Sequence, residues 1–269
     1  MPDLDHALTV ATLAAEKAGK LILEGLKTNA EFTLKSDASD RVTQVDFDCQ
    51  KMIQDMLAKE FPEIGFLGEE EEQISANGKL ASRSSAQQSE VRWIVDPLDG
   101  TMNFTHRIPF CGVSIGLQIN GEMVLGVLHF PAFDWTYTAI KGKGAKKNGK
   151  EIHVSSCAKF EDAMLTEIFS DREARGKKVS YPPVSAYRRF GSAITSLAFL
   201  AEGLVDGTVE RCRMWDIAAA EVIIREAGGT VTVWKDDEKD PRTSLTCVAS
   251  TPKIHDALCA YAKEALTSL

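Results

Sequence analysis

Apolar residues recur at Leu4, Leu8, Ala11, Ala15, Ala18 and Ile22, the spacing of a helix that buries one face, and Gly25 lies near its end. Residues 4–26 are therefore predicted as a long amphipathic helix. A second helix is expected from Val45 to Phe61, with Val45, Cys49, Met52, Ile53 and Met56 on one face, Asp46 in the first turn and Pro62 ending it. The pattern then shortens. Ile64 to Leu67 reads as a buried strand that breaks at Gly68 and delivers Glu69 and Glu70 at its end, and Glu70 to Glu72 read as a solvated acidic run. Gln73 to Glu90 is polar and aperiodic, the signature of a mobile loop.

Val91 to Val95 is the next strand. A hairpin follows, signalled by Asn120-Gly121 between two β-rich runs, and Trp135 to Ile140 is a strand leading to an Asn148-Gly149 turn. After about Ser155, strands and helices alternate: strand Ala163 to Phe169, helix Ser192 to Leu204, strand Asp206 to Cys212, helix Asp216 to Ala227. Strands Thr230 to Trp234 and Leu245 to Ala249 and a helix from Pro252 to Leu266 complete the chain. The pattern describes mixed α and β structure in two halves, 1–154 and 155–269.

At 269 residues and 44% hydrophobic content the chain can bury a large core. Its formal charge of -8 argues against nucleic acid or an anionic membrane as the main partner, since both need a basic surface. The six cysteines form no CxxC pair and read as reduced thiols of a cytoplasmic protein. The start MPDLDHALTV carries acid where a signal peptide carries lysine, and no apolar run approaches the ~18 residues that span a bilayer.

Candidate chemistry gathers at the ends of apolar segments. WIVDPLDGTMNF runs a strand straight into Asp96 and Asp99, Glu69 ends another strand, and Asp216 follows Trp215 at the start of a helix. Each has a plain structural explanation: Pro-Leu-Asp-Gly suits a turn, and Asp216 suits a helix N-cap with Gly228 and Gly229 at the other end. Gathering four carboxylates without compensation, however, costs several kcal/mol per buried charge. Hard divalent cations remove that cost, and an all-oxygen donor set without clustered His or Cys points to Mg2+ over zinc.

On WIVDPLDGTMNF, WDIAAAEVIIREAGG, LKSDASDRVTQVD, FLGEE, GVSIGL, GKGAKKNG and FGSA, spread along the chain, the sequence resembles the inositol monophosphatase family. The resemblance implies an α+β layered αβαβα sandwich of the sugar-phosphatase type, a homodimer, two to three Mg2+ ions per site, lithium sensitivity and hydrolysis of small phosphate monoesters. It implies that Glu69, Asp96 and the Leu98 carbonyl hold a first ion, that Asp96, Asp99 and Asp216 hold a second, and that a third sits near Glu69. Thr101, bonded to Glu69 or Asp46, would orient the attacking water. Asp99, Gly100, Thr101, Gly191, Ser192, Ala193 and Glu210 would face the substrate, and Lys35 is left as solvated.

Inositol monophosphates are the expected substrates, because Asn103 matches the inositol phosphatase pattern where nucleotide 3'-phosphatases of similar fold carry glutamate. Histidinol-phosphate phosphatase is the enzymatic rival, and an interaction protein retaining the fold is the alternative outside enzymes. The chain departs from the family pattern at Glu210, six residues before Asp216 where seven are usual.

Overall fold

The computed structural model describes residues 1–28, 31–34, 41–72, 90–166, 182–235 and 243–267. Lys35, the 73–89 part of the expected loop and the 167–169 end of the expected strand lie outside the described residues. Five layers stack in the order α, β, α, β, α. Helices α1 (Leu4–Gly25) and α2 (Gln44–Glu60) cover one face of a seven-stranded sheet. Its strands are β3 (Gly65–Gly68), β4 (Val91–Asp99), β5 (Gly112–Ile119), β6 (Glu122–Phe130), β7 (Trp135–Ile140), β8 (Ala145–Lys147) and β9 (Lys150–Glu151), side by side in chain order. Only β3 and β4 run parallel; the rest form an antiparallel meander.

A five-stranded sheet lies beyond, in the order β11 (Ala186–Arg188), β10 (Met164–Thr166), β12 (Gly207–Cys212), β14 (Leu245–Ser250), β13 (Thr230–Lys235). Helices α4 (Ala193–Ala201) and α5 (Met214–Glu226) fill the space between the sheets, and α6 (His255–Thr267) covers the outer face. A small hairpin, β1 (Phe32–Leu34) with β2 (Arg41–Thr43), and the short helix α3 (Thr101–Thr105) flank the ends of β3 and β4. This is the α+β sandwich that the motifs implied. Among the described residues no helix is long and apolar enough to cross a membrane.

The local chemistry explains the boundaries. Asp3 caps α1 by accepting the N–H of Asp5 at 3.0 Å. Thr43 and Asp46 form a reciprocal capping box that starts α2 one residue before its expected beginning. The central strands of the large sheet are covered on both faces, so β5 is buried from Gly112 to Gln118 without alternation. The Asn120-Gly121 and Asn148-Gly149 turns place both residues at positive φ, as two-residue hairpins require. All six cysteines are free.

Strand β4 extends four residues beyond its expected end. Pro97 has no N–H to give to the ladder, and the pairing with β5 shifts register between Asp96 and Asp99 without stopping. The Asp-Pro-Leu-Asp stretch is thus a bulge inside a strand rather than a turn after one. Asp216 is not the N-cap of α5: Arg213 is, and Asp216 stands three residues further in, accepting the Arg213 N–H at 2.7 Å. Glu70 is not solvated, being 2% exposed.

Helix α5 approaches the large sheet closely because paired residues Gly116 and Gly126 leave room for it. A Cβ on Gly126 would stand 2.2 Å from the carbonyl oxygen of Ala219, a main-chain atom that cannot step aside. Gly126→Ala is expected to cost about 1–3 kcal/mol of stability through this forced overpacking. Denaturant titration checks it, and an unchanged midpoint would mean that the helix shifts freely. The depth of α5 matters because the helix carries Asp216.

Candidate metal centre

Strand register brings the first two carboxylates together. In the parallel β3–β4 pair Gly68 stands opposite Val95, so Glu69, the first residue beyond β3, comes beside Asp96, the next residue of β4. On the other side Asp96 pairs with Ser114 of β5, whose hydroxyl donates to the Trp215 carbonyl at 3.1 Å and holds the first turn of α5 against the strand. That contact delivers Asp216. Carboxylate oxygens of Glu69, Asp96 and Asp216 all come within 4.8 Å of one another.

Burial and mutual repulsion dominate the electrostatics. Desolvation is the largest cause raising the pKa of Asp96, followed by the charges of Glu69, Asp99 and Asp216. Asp216 is raised well above the ordinary carboxylate range for the same reasons, burial first and then Glu69 and Asp99. The Asp96 side chain, within hydrogen-bonding reach of Asp216, works against that rise. Asp99 is pushed up to about 7 by burial, although the Ser192 hydroxyl works against the shift. Cys212 beside them keeps its proton, because burial and the charge of Asp216 raise its thiol.

The donor set fits a hard divalent cation. It is all oxygen, its neighbouring thiol is neutral, and a cation would relieve the repulsion that raises these acids.

Helix α2 braces both acidic strand ends from behind. Asp46 accepts the Thr43 N–H at 2.8 Å and the Thr43 hydroxyl at 2.6 Å on one oxygen, and the other lies 3.1 Å from the Thr101 hydroxyl. Of the two partners expected for Thr101, the structure gives it Asp46, with the Leu98 carbonyl 3.0 Å away as a second acceptor. One helical turn beyond Asp46, Gln50 is completely buried and accepts the Glu70 N–H at 2.9 Å, fixing the turn that holds Glu69. Sequence reasoning missed Gln50 and Ser114. An i, i+4 polar pair, Asp46 and Gln50, on the face that also carries Cys49, Ile53 and Leu57 was a readable signal for the first.

Asp99 lies outside the 4.8 Å group of carboxylates. One of its oxygens takes the Ser192 hydroxyl and the other the Ala193 N–H at 3.2 Å, which ties the first half of the chain to the start of α4. Gly100 follows at φ +81 as the N-cap of α3, and Gly191 at φ +69 precedes Ser192. Glu210 is buried on β12 and accepts the Thr208 hydroxyl at 2.8 Å. It stands on the same side of its strand as Cys212, whose thiol feels both Glu210 and Asp216.

A layered sandwich with a cluster of acids where the ends of β3 and β4 face the start of α5 defines a sugar-phosphatase-type scaffold. The inositol monophosphatase family model matches residues 3–267. Mouse inositol monophosphatase 1 is 34% identical over 236 residues, covering 84% of this chain and 83% of the relative. The Nus factor SuhB of Pasteurella multocida is 33% identical over 261 residues, 93% of each chain. The crystal structure of the extragenic suppressor protein suhB from Bartonella henselae superposes with a TM-score of 0.78 at 33% identity, covering 96% of this chain and 98% of that one. The chain belongs to the inositol monophosphatase family and, by class, is a phosphatase.

Proposed function

We propose that the protein hydrolyses inositol monophosphates to inositol and phosphate in a Mg2+-dependent reaction. The observation that carries this reading is the convergence of Glu69, Asp96 and Asp216 within 4.8 Å, with the Thr101–Asp46 hydrogen bond alongside. Glu69, Asp96, the Leu98 carbonyl, Asp99 and Asp216 would hold two to three ions. When bound, Mg2+ supplies positive charge for the phosphate oxygens and lowers the pKa of water.

The chain's own residues do the rest. Thr101 has one hydroxyl proton; with that proton given to Asp46, its lone pairs are left to orient a water for in-line attack on phosphorus. Asp46 is held rigid by Thr43 and so keeps the Thr101 hydroxyl in one rotamer. The N–H groups of Gly100 and Thr101 offer phosphate oxygens a close approach to main chain. The segment Gly191, Ser192 and Ala193, together with Asp99 and Glu210, faces the alcohol part of the substrate.

Selectivity rests on a few hydrogen bonds to hydroxyls worth about 0.5–3 kcal/mol each, so the preference is graded and extends to other polyol phosphates. The test is a panel of myo-inositol phosphates, histidinol phosphate, 3'-phosphoadenosine 5'-phosphate and fructose 1,6-bisphosphate with and without EDTA. An inositol monophosphate is expected to give the highest kcat/KM, with turnover lost in EDTA and reduced by Li+. A histidinol phosphate kcat/KM at least about tenfold above that of every inositol phosphate would reassign the substrate. No turnover on any monoester would favour a binding role, the reading suggested by similarity to a protein named as a Nus factor. The free thiols suit a cytoplasmic protein and the acidic charge suits a small-molecule substrate over nucleic acid, and the homodimer follows from family membership alone.

A further inference from the structure

Asn103 does not reach toward the carboxylates. It is 7% exposed, and both hydrogens of its amide are committed to main-chain carbonyls: Phe110 at 2.8 Å and Phe190 at 2.7 Å. These acceptors belong to the approach to β5 and to the approach to α4, segments from opposite halves of the chain. The amide therefore closes a three-way junction between α3, β5 and α4. The rings of Phe110 and Phe190 pack 5.6 Å apart across it, each also against Phe199.

The surrounding residues leave this junction little freedom. Gly191, the residue after Phe190, has φ +69, and a Cβ there would stand 3.0 Å from the Asn103 side-chain oxygen. Gly100 has φ +81, and a Cβ there would stand 2.9 Å from the Phe110 carbonyl and 3.2 Å from the Ser192 Cβ. One residue beyond Gly191, the Ser192 hydroxyl and the Ala193 N–H both donate to Asp99. Ser192 also caps α4 by accepting the Thr195 N–H at 3.2 Å. The path from the Asn103 amide to Asp99 thus runs through the short Phe190–Ala193 segment.

We infer that Asn103 is a positioning residue: its two N–H donors set the Phe190–Ala193 segment against Asp99 and so fix the surface that meets the alcohol portion of the substrate. This rests on the reading that Asp99 and Ala193 face that portion. The chemistry needs a primary amide. An aspartate of equal size presents only acceptors when ionised and a single O–H donor when protonated, so Asn103→Asp removes at least one of the two bonds and sets an oxygen against a carbonyl oxygen.

Two measurements on the full chain test this. Hydrogen exchange reads the junction directly: in Asn103→Asp the amides of residues 191–195 are expected to exchange at least about tenfold faster, while those of β4 stay unchanged. Unchanged exchange at 191–195 would overturn the inference whatever the enzyme's substrate. Kinetics read its consequence. The ratio of kcat/KM for an inositol monophosphate to that for 4-nitrophenyl phosphate is expected to fall at least about tenfold, mainly through KM, with the Mg2+ dependence retained.

Faster exchange with an unchanged ratio, or an equal loss on both substrates, would show a structural brace and overturn the positioning role. If the wild-type protein fails to prefer the inositol ester, the substrate reading falls and the exchange measurement still decides the junction. Should Asn103→Asp fail to fold, Gly191→Ala displaces the same segment, its added Cβ pressing on the Asn103 side chain. It is expected to lower the same ratio, and an unchanged ratio would count against the inference.

Discussion

Asp96→Asn is expected to lower kcat by at least ~100-fold, because Asp96 is the carboxylate shared by both proposed ion sites and the change removes its charge while keeping its shape. The same substitution should leave the protein folded. The amide oxygen can still accept the Leu98 N–H that now bonds to Asp96 at 3.0 Å, and its N–H2 can donate toward Asp216. In EDTA the variant should melt no lower than the wild type, since a buried acid raised by Glu69, Asp99 and Asp216 is replaced by a neutral group. Adding Mg2+ should raise the melting temperature of the wild type and scarcely that of the variant. Wild-type turnover in Asp96→Asn, or full turnover of the native protein in EDTA, would remove the metal centre from the mechanism.

Thr101→Ala should slow the chemical step by about 2–4 kcal/mol while KM stays within a few-fold, as for a group that orients water without gripping phosphate. The geometry explains the split. Asp46 receives two hydrogen bonds from Thr43 on its other oxygen, so losing the Thr101 hydroxyl leaves it in place. The backbone N–H at position 101 is untouched. A sharply raised KM at constant kcat would assign the hydroxyl to binding instead. Burst kinetics that showed product release to be rate-limiting would move the comparison to single-turnover rates, where the same loss is expected.

Much of this architecture was legible before any coordinates. Helical periodicity found α1 and α2 to within a residue or two, and the Asn-Gly pairs marked two hairpins, because these signals are local. The boundary that failed was the end of β4, where a proline reads as a stop although a bulge lets the strand continue. Within the acidic run Glu70 was misread for a related reason. Composition makes Glu70 look solvated, and only the fold places it behind Gln50.

The acids themselves could be picked out as candidates, and yet their grouping could not. The meeting of Glu69, Asp96 and Asp216 depends on the β3–β4 register and on Ser114 reaching the Trp215 carbonyl. Asp99 stands apart from them because Ser192 and Ala193, far downstream in the chain, claim its oxygens. No local pattern encodes contacts of that range.

The raised acids have a calorimetric consequence. An acid whose pKa is higher in the folded state stabilises that state below its unfolded pKa, ~4 for a carboxylate, and the benefit is lost as pH rises through the folded value, about 7 for Asp99. Metal-free protein at mildly acidic pH therefore still carries protons, that of Asp99 among them, that the unfolded chain has given up. Loading Mg2+ must expel them. Titrating the ion at about pH 6 in two buffers of different ionisation enthalpy should give heats that differ by the number of protons released, and the difference should shrink toward about pH 8. Apparent affinity should rise over the same interval, so the acidity of the solution, as well as the ion's concentration, sets how much of the protein is loaded.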